Sequence, residues 1–125
     1  MAHVLINNLT HPAPKPVKAF LCKTFFTQLR GLMFRKTIEE HEGLLFVQAH
    51  ADRVNSAIHM FFMNFDIAVI WLDEHYRVVD VQLARRWRPA YIPAKPAKYF
   101  LETHTNRLNE FHPGDQLVVK PCEIH

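Results

Sequence analysis

Residues 66–72, with the sequence DIAVIWL, are almost continuously apolar, and the polar segment DEHY follows at residues 73–76. Residues 77–83, RVVDVQL, then place an apolar side chain at every second position. A continuous apolar run is typical of a strand buried on both faces, and a period of two is typical of a strand with one buried face. The two segments and the short polar turn between them therefore predict a β-hairpin.

Shorter apolar segments on both sides of this hairpin predict further strands, because proline-rich or glycine-containing segments separate them. The stretch from 56 to 83 as a whole predicts two or three strands, which places His59 in a strand. The other predicted strands cover residues 4–6, 17–22, 44–47, 98–103 and 116–120.

One segment has the spacing of a helix instead. Thr24 is a suitable N-cap, and apolar residues then recur on one face at positions 25, 29, 32 and 33. The fold predicted from all these elements is mainly β, with an α+β fold as the alternative. We expect a compact antiparallel β-barrel or sandwich, with one principal helix over about 24–34 packed on it and a short helical turn near 106–111.

The composition fits a single domain over residues 1–125, since 49% of the residues are apolar and 22% are charged. A formal net charge of +3 is mildly basic and does not by itself require a nucleic-acid partner. The sequence has no run of ~18 apolar residues and no signal-peptide pattern at its start, so we expect a cytoplasmic protein with no membrane partner. Cys22 and Cys122 are too few for a disulfide framework and favour two separate thiols.

Short motifs in a fixed order extend over nearly the whole chain. They are Arg30-Gly31-Leu32-Met33 with Arg35, Gly43 with Leu45-Phe46, His59-Met60, Leu72-Asp73, Val78-Val79, Pro89, Leu101-Glu102 and Gly114-Asp115. In these motifs the chain resembles the domain-of-unknown-function family numbered 192, over about residues 4–119. The resemblance implies a compact β-rich fold and supplies no established substrate, cofactor or catalytic residue. Relatives usually carry an aspartate at the position of Ala68, and here the nearest acid is Asp66.

The leading functional hypothesis is a small binding or accessory domain with a shallow pocket for an unknown small anionic or sugar-like ligand. An aromatic surface that converges with one arginine and one histidine favours such a pocket. The candidate ligand-binding residues are Arg30, His59, Phe61, Asp66, Trp71 and Glu102. Arg30 also has a structural interpretation as an ion pair with Glu102 or Asp115. No second histidine lies at a metal-ligand spacing from His59, so we expect neither a metal nor a cofactor.

Two alternatives remain open from the sequence. One is binding of single-stranded nucleic acid through the loop at residues 85–99, because cations interleaved with aromatic rings suit phosphate contact and base stacking. Its candidate residues are Arg85, Arg86, Trp87, Arg88, Lys95 and Lys98. The other is an enzyme that uses His59 with Asp66 or Glu102 as an acid–base pair. The excess of aromatic residues also allows an apolar patch for a homodimer.

Overall fold

The computed structural model describes residues 2–23 and 31–122, which form seven strands and one short 3₁₀ helix. In chain order the elements are β1 (His3–Asn8), β2 (Val17–Cys22), β3 (Glu42–Asp52), β4 (Ile67–Leu72), β5 (Val78–Ala84), β6 (Ala97–Thr103), the 3₁₀ helix (Thr105–Glu110) and β7 (Leu117–Cys122). The mainly β class is confirmed, and the short helical turn lies one residue earlier than predicted.

The strands form one mixed sheet in the order β5-β4-β6-β3-β2-β1-β7. Strands β2 and β3 are parallel, and the other neighbouring pairs are antiparallel. The prediction of an entirely antiparallel sheet is therefore wrong at this pair. A parallel pair needs a crossover of a dozen or more residues, and the segment from 23 to 41 is long enough to provide one.

The sheet is not closed into a barrel, so that part of the prediction is also wrong. Its edge strands, β5 and β7, approach each other at one isolated bridge between Arg77 and Gln116. Closure would require a continuous ladder between the two edges. Pro121 in β7 has no N–H to donate to such a ladder, which suits an edge strand.

The predicted helix over residues 24–34 is not found at its carboxyl end. Residues 24–30 lie outside the described residues, and residues 31–34 form a turn. Gly31 has φ of 47° and Phe34 has φ of 66°, both in the left-handed region that a right-handed helix excludes. Within residues 31–34, the helical spacing of the apolar residues therefore does not produce a helix.

Strand β4 separates two apolar clusters, one on each face of the sheet, and all six of its residues are buried. Val69 and Trp71 belong to one cluster, whereas Ala68 and Ile70 belong to the other. The predicted hairpin is confirmed by the antiparallel pairing of β4 with β5. The first of these clusters also contains the loop residues that surround the site described below.

We expect Gly43→Ala to destabilise the fold by about 1–3 kcal/mol through overpacking. A Cβ at this position would lie 2.9 Å from Val17 Cγ1 and 3.1 Å from the carbonyl oxygen of Glu102. Urea denaturation measures the loss. Gly114→Ala is the comparison, since its Cβ would meet no atom within 4 Å and only the backbone conformation, at φ of 94°, opposes it. Full wild-type stability of Gly43→Ala would contradict the crowding.

Candidate functional site

A pocket of about 100 Å³ opens on the face of the sheet formed by β3 and β6. The strands supply its floor, and two loops supply its walls. Its lining consists of Gly31, Leu32, Met33, Phe46, Ala57, Ile58, His59, Met63, Phe100 and Glu102.

Two phenylalanines form the apolar part of the floor. Phe46 in β3 and Phe100 in β6 are direct neighbours across the antiparallel ladder. Their rings stack with centroids 4.5 Å apart and an interplanar angle of 10°. Gly31 lies against this pair, because a Cβ there would be 3.3 Å from Phe46 Cζ. The small residue therefore lets the turn at the pocket wall approach the aromatic floor.

Glu102 is the ionisable group of the floor. It lies two residues after Phe100 in β6 and so faces the same side of the sheet. Only 7% of the residue is exposed, and burial raises the pKa of its carboxyl group to about 8. None of the hydrogen bonds found within the described residues involves this carboxyl group. At neutral pH Glu102 is therefore mainly a neutral carboxylic acid, which both donates and accepts hydrogen bonds.

His59 lies at the exposed rim of the same pocket. It belongs to a loop rather than to a strand, because the chain pairs here only through an isolated bridge between Ile58 and Tyr91. The strand predicted for His59 is therefore wrong. Phe61 is also exposed, and its ring centroid lies 5.6 Å from that of His59. The backbone N–H of Phe61 donates to His59 Nδ1 at 3.3 Å. The rim thus presents two neighbouring aromatic rings.

The other predicted site residues lie elsewhere. Trp71 is fully buried, does not line the pocket, and donates its indole N–H to the carbonyl oxygen of Ser56 at 2.7 Å. Asp66 accepts the backbone N–H of Arg86 at 2.9 Å and does not reach the pocket lining. Arg30 lies outside the described residues. The pocket lining contains both His59 and Glu102, so an acid–base pair of these two residues stays a prediction. Asp66 is not in the lining, so the structure does not bring it together with His59 there.

Three tight turns meet beside the pocket, at residues 32–35, 60–63 and 85–88. Each is closed by a backbone hydrogen bond of 3.3 Å from its fourth residue to its first. The third residue of each turn is aromatic and has positive φ, which a type II turn ordinarily assigns to glycine. These residues are Phe34 (φ 66°), Phe62 (φ 62°) and Trp87 (φ 65°).

The three turns are joined to one another by backbone and ring contacts. The Phe34 N–H donates to the Phe62 carbonyl at 3.0 Å, and the Trp87 N–H donates to the Met60 carbonyl at 2.8 Å. The Phe34 and Phe62 rings stack at 5.2 Å, and the Phe62 and Trp87 rings meet edge to face at 5.3 Å. We call Phe34, Phe62 and Trp87 the aromatic turn cluster. Sequence reasoning missed Phe34 and Phe62, because nothing in a sequence marks a phenylalanine that takes a glycine conformation.

The residues predicted for nucleic-acid contact divide into two groups. Arg85, Arg86, Trp87 and Arg88 are all exposed on the turn at residues 85–88. Lys95 is exposed in the following loop, whereas Lys98 lies in β6, with its Nζ 5.8 Å from the ring centroid of Tyr99. The turn at 85–88 is therefore the compact basic element of this loop.

A histidine–aspartate cluster lies apart from the pocket, near the ends of β1 and β7. His11, His112 and Asp115 place possible metal-ligand atoms within 4.8 Å of one another. Burial opposes ionisation of Asp115, but hydrogen bonds from Asn8, the His112 backbone and His11 outweigh it and lower the pKa of the carboxyl group. Because these donors already occupy the carboxylate, we assign the cluster a structural role that joins two loops.

Cys22 and Cys122 are not joined by a disulfide, since β1 lies between their strands. Burial, and then the nearby Glu102, raise the pKa of the Cys22 thiol to about 12. At neutral pH this thiol is protonated and is a poor nucleophile. In the described ranges, no helix is long and apolar enough to cross a membrane.

The chain belongs to the DUF192 family, as its sequence motifs indicated. The family profile, described as "Uncharacterized ACR", matches residues 7–119. This description assigns no activity, ligand or partner, so the chain is a member of an uncharacterised family with no established function.

Individual relatives agree with this assignment. The chain is 43% identical to a UPF0127 protein of Thermococcus kodakarensis over 108 residues, which cover 85% of this chain and 67% of the relative. It is 48% identical to a UPF0127 protein of Thermococcus gammatolerans over 82 residues, which cover 66% of this chain and 52% of the relative. The matched region therefore spans about half to two thirds of these relatives.

A solved structure shows the same fold. The chain superposes on a protein of unknown function from Novosphingobium aromaticivorans with a TM-score of 0.76 and 20% sequence identity. The superposition covers 93% of this chain and 83% of the other. At this level of identity the likeness concerns the fold alone.

Proposed function

We propose that the protein is a small binding domain that takes a neutral, hydroxyl-bearing ligand of the sugar class in the pocket over Glu102. The observation that carries this proposal is the buried carboxyl group beside a stacked aromatic pair. Carbohydrate ligands combine apolar C–H faces, which pack on aromatic rings, with hydroxyl groups that need both donors and acceptors. We place one edge of a sugar ring in this pocket of about 100 Å³ and the rest of the ring against His59 and Phe61 at the rim.

A sugar-like ligand fits this lining better than an anionic one. The described lining holds no lysine or arginine, and His59 at the rim is its one group able to become a cation. An anion in the pocket would also lie near Glu102, whose ionisation would then add a second negative charge in a poorly solvated place. A neutral ligand avoids this repulsion and keeps the carboxyl group protonated.

The test is a thermal-shift and NMR titration with matched neutral and acidic sugars, such as glucose and glucuronate. We expect the neutral members to raise the melting temperature of the wild type at pH 7 and to shift amide signals around Phe46 and Phe100. The acidic members should have less effect. Absence of any shift with every neutral mono- and disaccharide at millimolar concentration would refute the proposal.

Two substitutions of Glu102 separate its chemistry from its bulk. Glu102→Gln resembles the neutral acid, so we expect it to retain sugar binding and to remove the loss of binding that ionisation of Glu102, with its pKa of about 8, causes in the wild type at high pH. Glu102→Leu replaces the carboxyl group with an apolar side chain of similar size, so the variant should still fold. Its affinity for the sugar should fall by about tenfold or more, as expected when a ligand hydroxyl loses its hydrogen-bond partner. Equal binding by both variants would show that the carboxyl group is not part of the site.

A further inference from the structure

We propose that the aromatic turn cluster, with the arginines of the turn at residues 85–88, is a binding surface for single-stranded nucleic acid. This surface is separate from the pocket floor, and the proposal does not depend on the ligand proposed there. It includes Phe34 and Phe62 from two other loops, so it is not confined to the basic loop that the sequence indicated.

The backbone of the three turns is the first argument. A bulky side chain at positive φ is unfavourable, and glycine would take the same turn without strain. Such strain persists where the surrounding structure fixes it, and it is concentrated at functional sites. Tyr76 also has φ of 63°, but it lies in the β4–β5 hairpin, where a residue in this region is ordinary turn geometry, and it packs on Tyr99. The aromatic turn cluster has no such explanation in a hairpin.

Exposure of the rings is the second argument. Phe34 is 66% exposed, Phe62 45% and Trp87 53%, so the strained backbone does not serve to bury the rings in the core. The rings pack against one another at 5.2 and 5.3 Å and leave their outer surfaces to solvent. Such a wall of partly covered rings suits the stacking of planar groups.

The charge around the rings is the third argument. Arg85, Arg86 and Arg88 are exposed beside Trp87, and no ion pair among the described residues involves them. Asp66 is the acid against this turn, and its Oδ1 is directed at a backbone N–H of the turn. An anionic partner that also offers planar apolar groups matches both features, and a single-stranded nucleic acid has phosphates and unpaired bases together.

The turn is also rigid, which favours a preformed surface. Tyr91 Oη accepts the Arg85 N–H at 2.8 Å, and Asp66 accepts the Arg86 N–H at 2.9 Å. With the bond from Trp87 to Met60, three successive backbone N–H groups are fixed. A rigid surface loses little conformational freedom when a strand binds.

The experiment is fluorescence anisotropy of a labelled twelve-nucleotide oligothymidylate at 50 mM and 200 mM salt. We expect binding that weakens as salt is added, and Trp87→Gly should weaken it by about tenfold or more, as for the loss of one stacked base. Because glycine relaxes the backbone at this position, the melting temperature of Trp87→Gly should stay the same or rise. The combined change Arg85→Gln, Arg86→Gln and Arg88→Gln should reduce the salt slope, by about 0.7 for each phosphate that the variant no longer neutralises.

Lys120→Gln, which removes an exposed cation from β7, is the matched control and should bind like the wild type. An oligonucleotide that stays free at 50 mM salt would overturn the proposal, as would wild-type affinity of Trp87→Gly. Binding to vesicles with 30% phosphatidylserine without oligonucleotide binding would assign the surface to a membrane instead. Self-association that Trp87→Gly abolishes, again without oligonucleotide binding, would assign it to a second copy of the chain. A duplex bound as tightly as the single strand would exclude base stacking.

Discussion

Raising the pH from 4 to 9 should lower the free energy of unfolding through Glu102 alone by on the order of 5 kcal/mol. The folded protein holds this carboxyl proton up to a pKa of about 8, because of burial, whereas the ordinary value is 4.5. Between these two values the unfolded chain releases the proton and the folded protein keeps it, so added base favours unfolding. Below pH 4.5 both states are protonated and the contribution is constant. Above pH 8 it is fully lost.

The measurement is urea denaturation of the wild type and Glu102→Gln at a series of pH values. The glutamine cannot ionise, so the variant should approach wild-type stability at pH 4 and exceed it by several kcal/mol at pH 9. Comparing the two proteins at each pH removes the contributions of other groups, including Asp115, whose lowered pKa acts in acid. Glu74→Gln, at a side chain that is 67% exposed, is the control and should follow the wild type throughout. Parallel curves for Glu102→Gln and the wild type would contradict the raised pKa.

Local patterns predicted the centre of the sheet well. Strand β4 was recognisable because burial of both its faces requires a continuous run of apolar residues. The hairpin was recognisable because the polar residues 73–76 lie between two apolar segments. Prediction from the sequence failed where an apolar segment contains a residue whose backbone conformation is unusual for its type. Residues 57–63 are apolar except for His59 and were predicted to form a strand, yet Phe62 adopts positive φ and the chain turns. The same reason applies to Phe34 at the end of the predicted helix.

The candidate site could be predicted only in part, because its floor depends on strand register. Phe46 and Phe100 are far apart in the sequence and meet only through the ladder between β3 and β6. That register also brings Glu102 beneath the rim that His59 occupies. The short sequence motifs contained His59 and Glu102, which made both residues candidates, but the same reasoning placed Trp71 in the pocket as well. A buried tryptophan and a pocket tryptophan look the same in sequence.

Trp71→Ala should destabilise the protein by about 3–5 kcal/mol, because it removes the largest fully buried side chain and leaves a cavity. The Ser56 carbonyl oxygen, which accepts the indole N–H at 2.7 Å, would also lose its partner. A typical domain is stable by about 5–15 kcal/mol, so the variant is expected to retain the fold with little reserve. Urea denaturation followed by circular dichroism measures the loss.

The two tryptophans provide a matched comparison, because Trp71 is fully buried and Trp87 is 53% exposed. Trp71→Phe should lower the free energy of unfolding less than Trp71→Ala does, since phenylalanine keeps a ring at this position and loses only part of the side chain and the hydrogen bond to Ser56. Trp87→Ala should change the free energy of unfolding little, because exposed side chains contribute little to stability. Ser56 immediately precedes Ala57 in the pocket wall, so hydrogen exchange at residues 57–63 should accelerate in Trp71→Ala and not in Trp87→Ala. Equal losses in the two alanine variants, or unchanged exchange at the wall, would contradict the role of Trp71 as the support of the pocket.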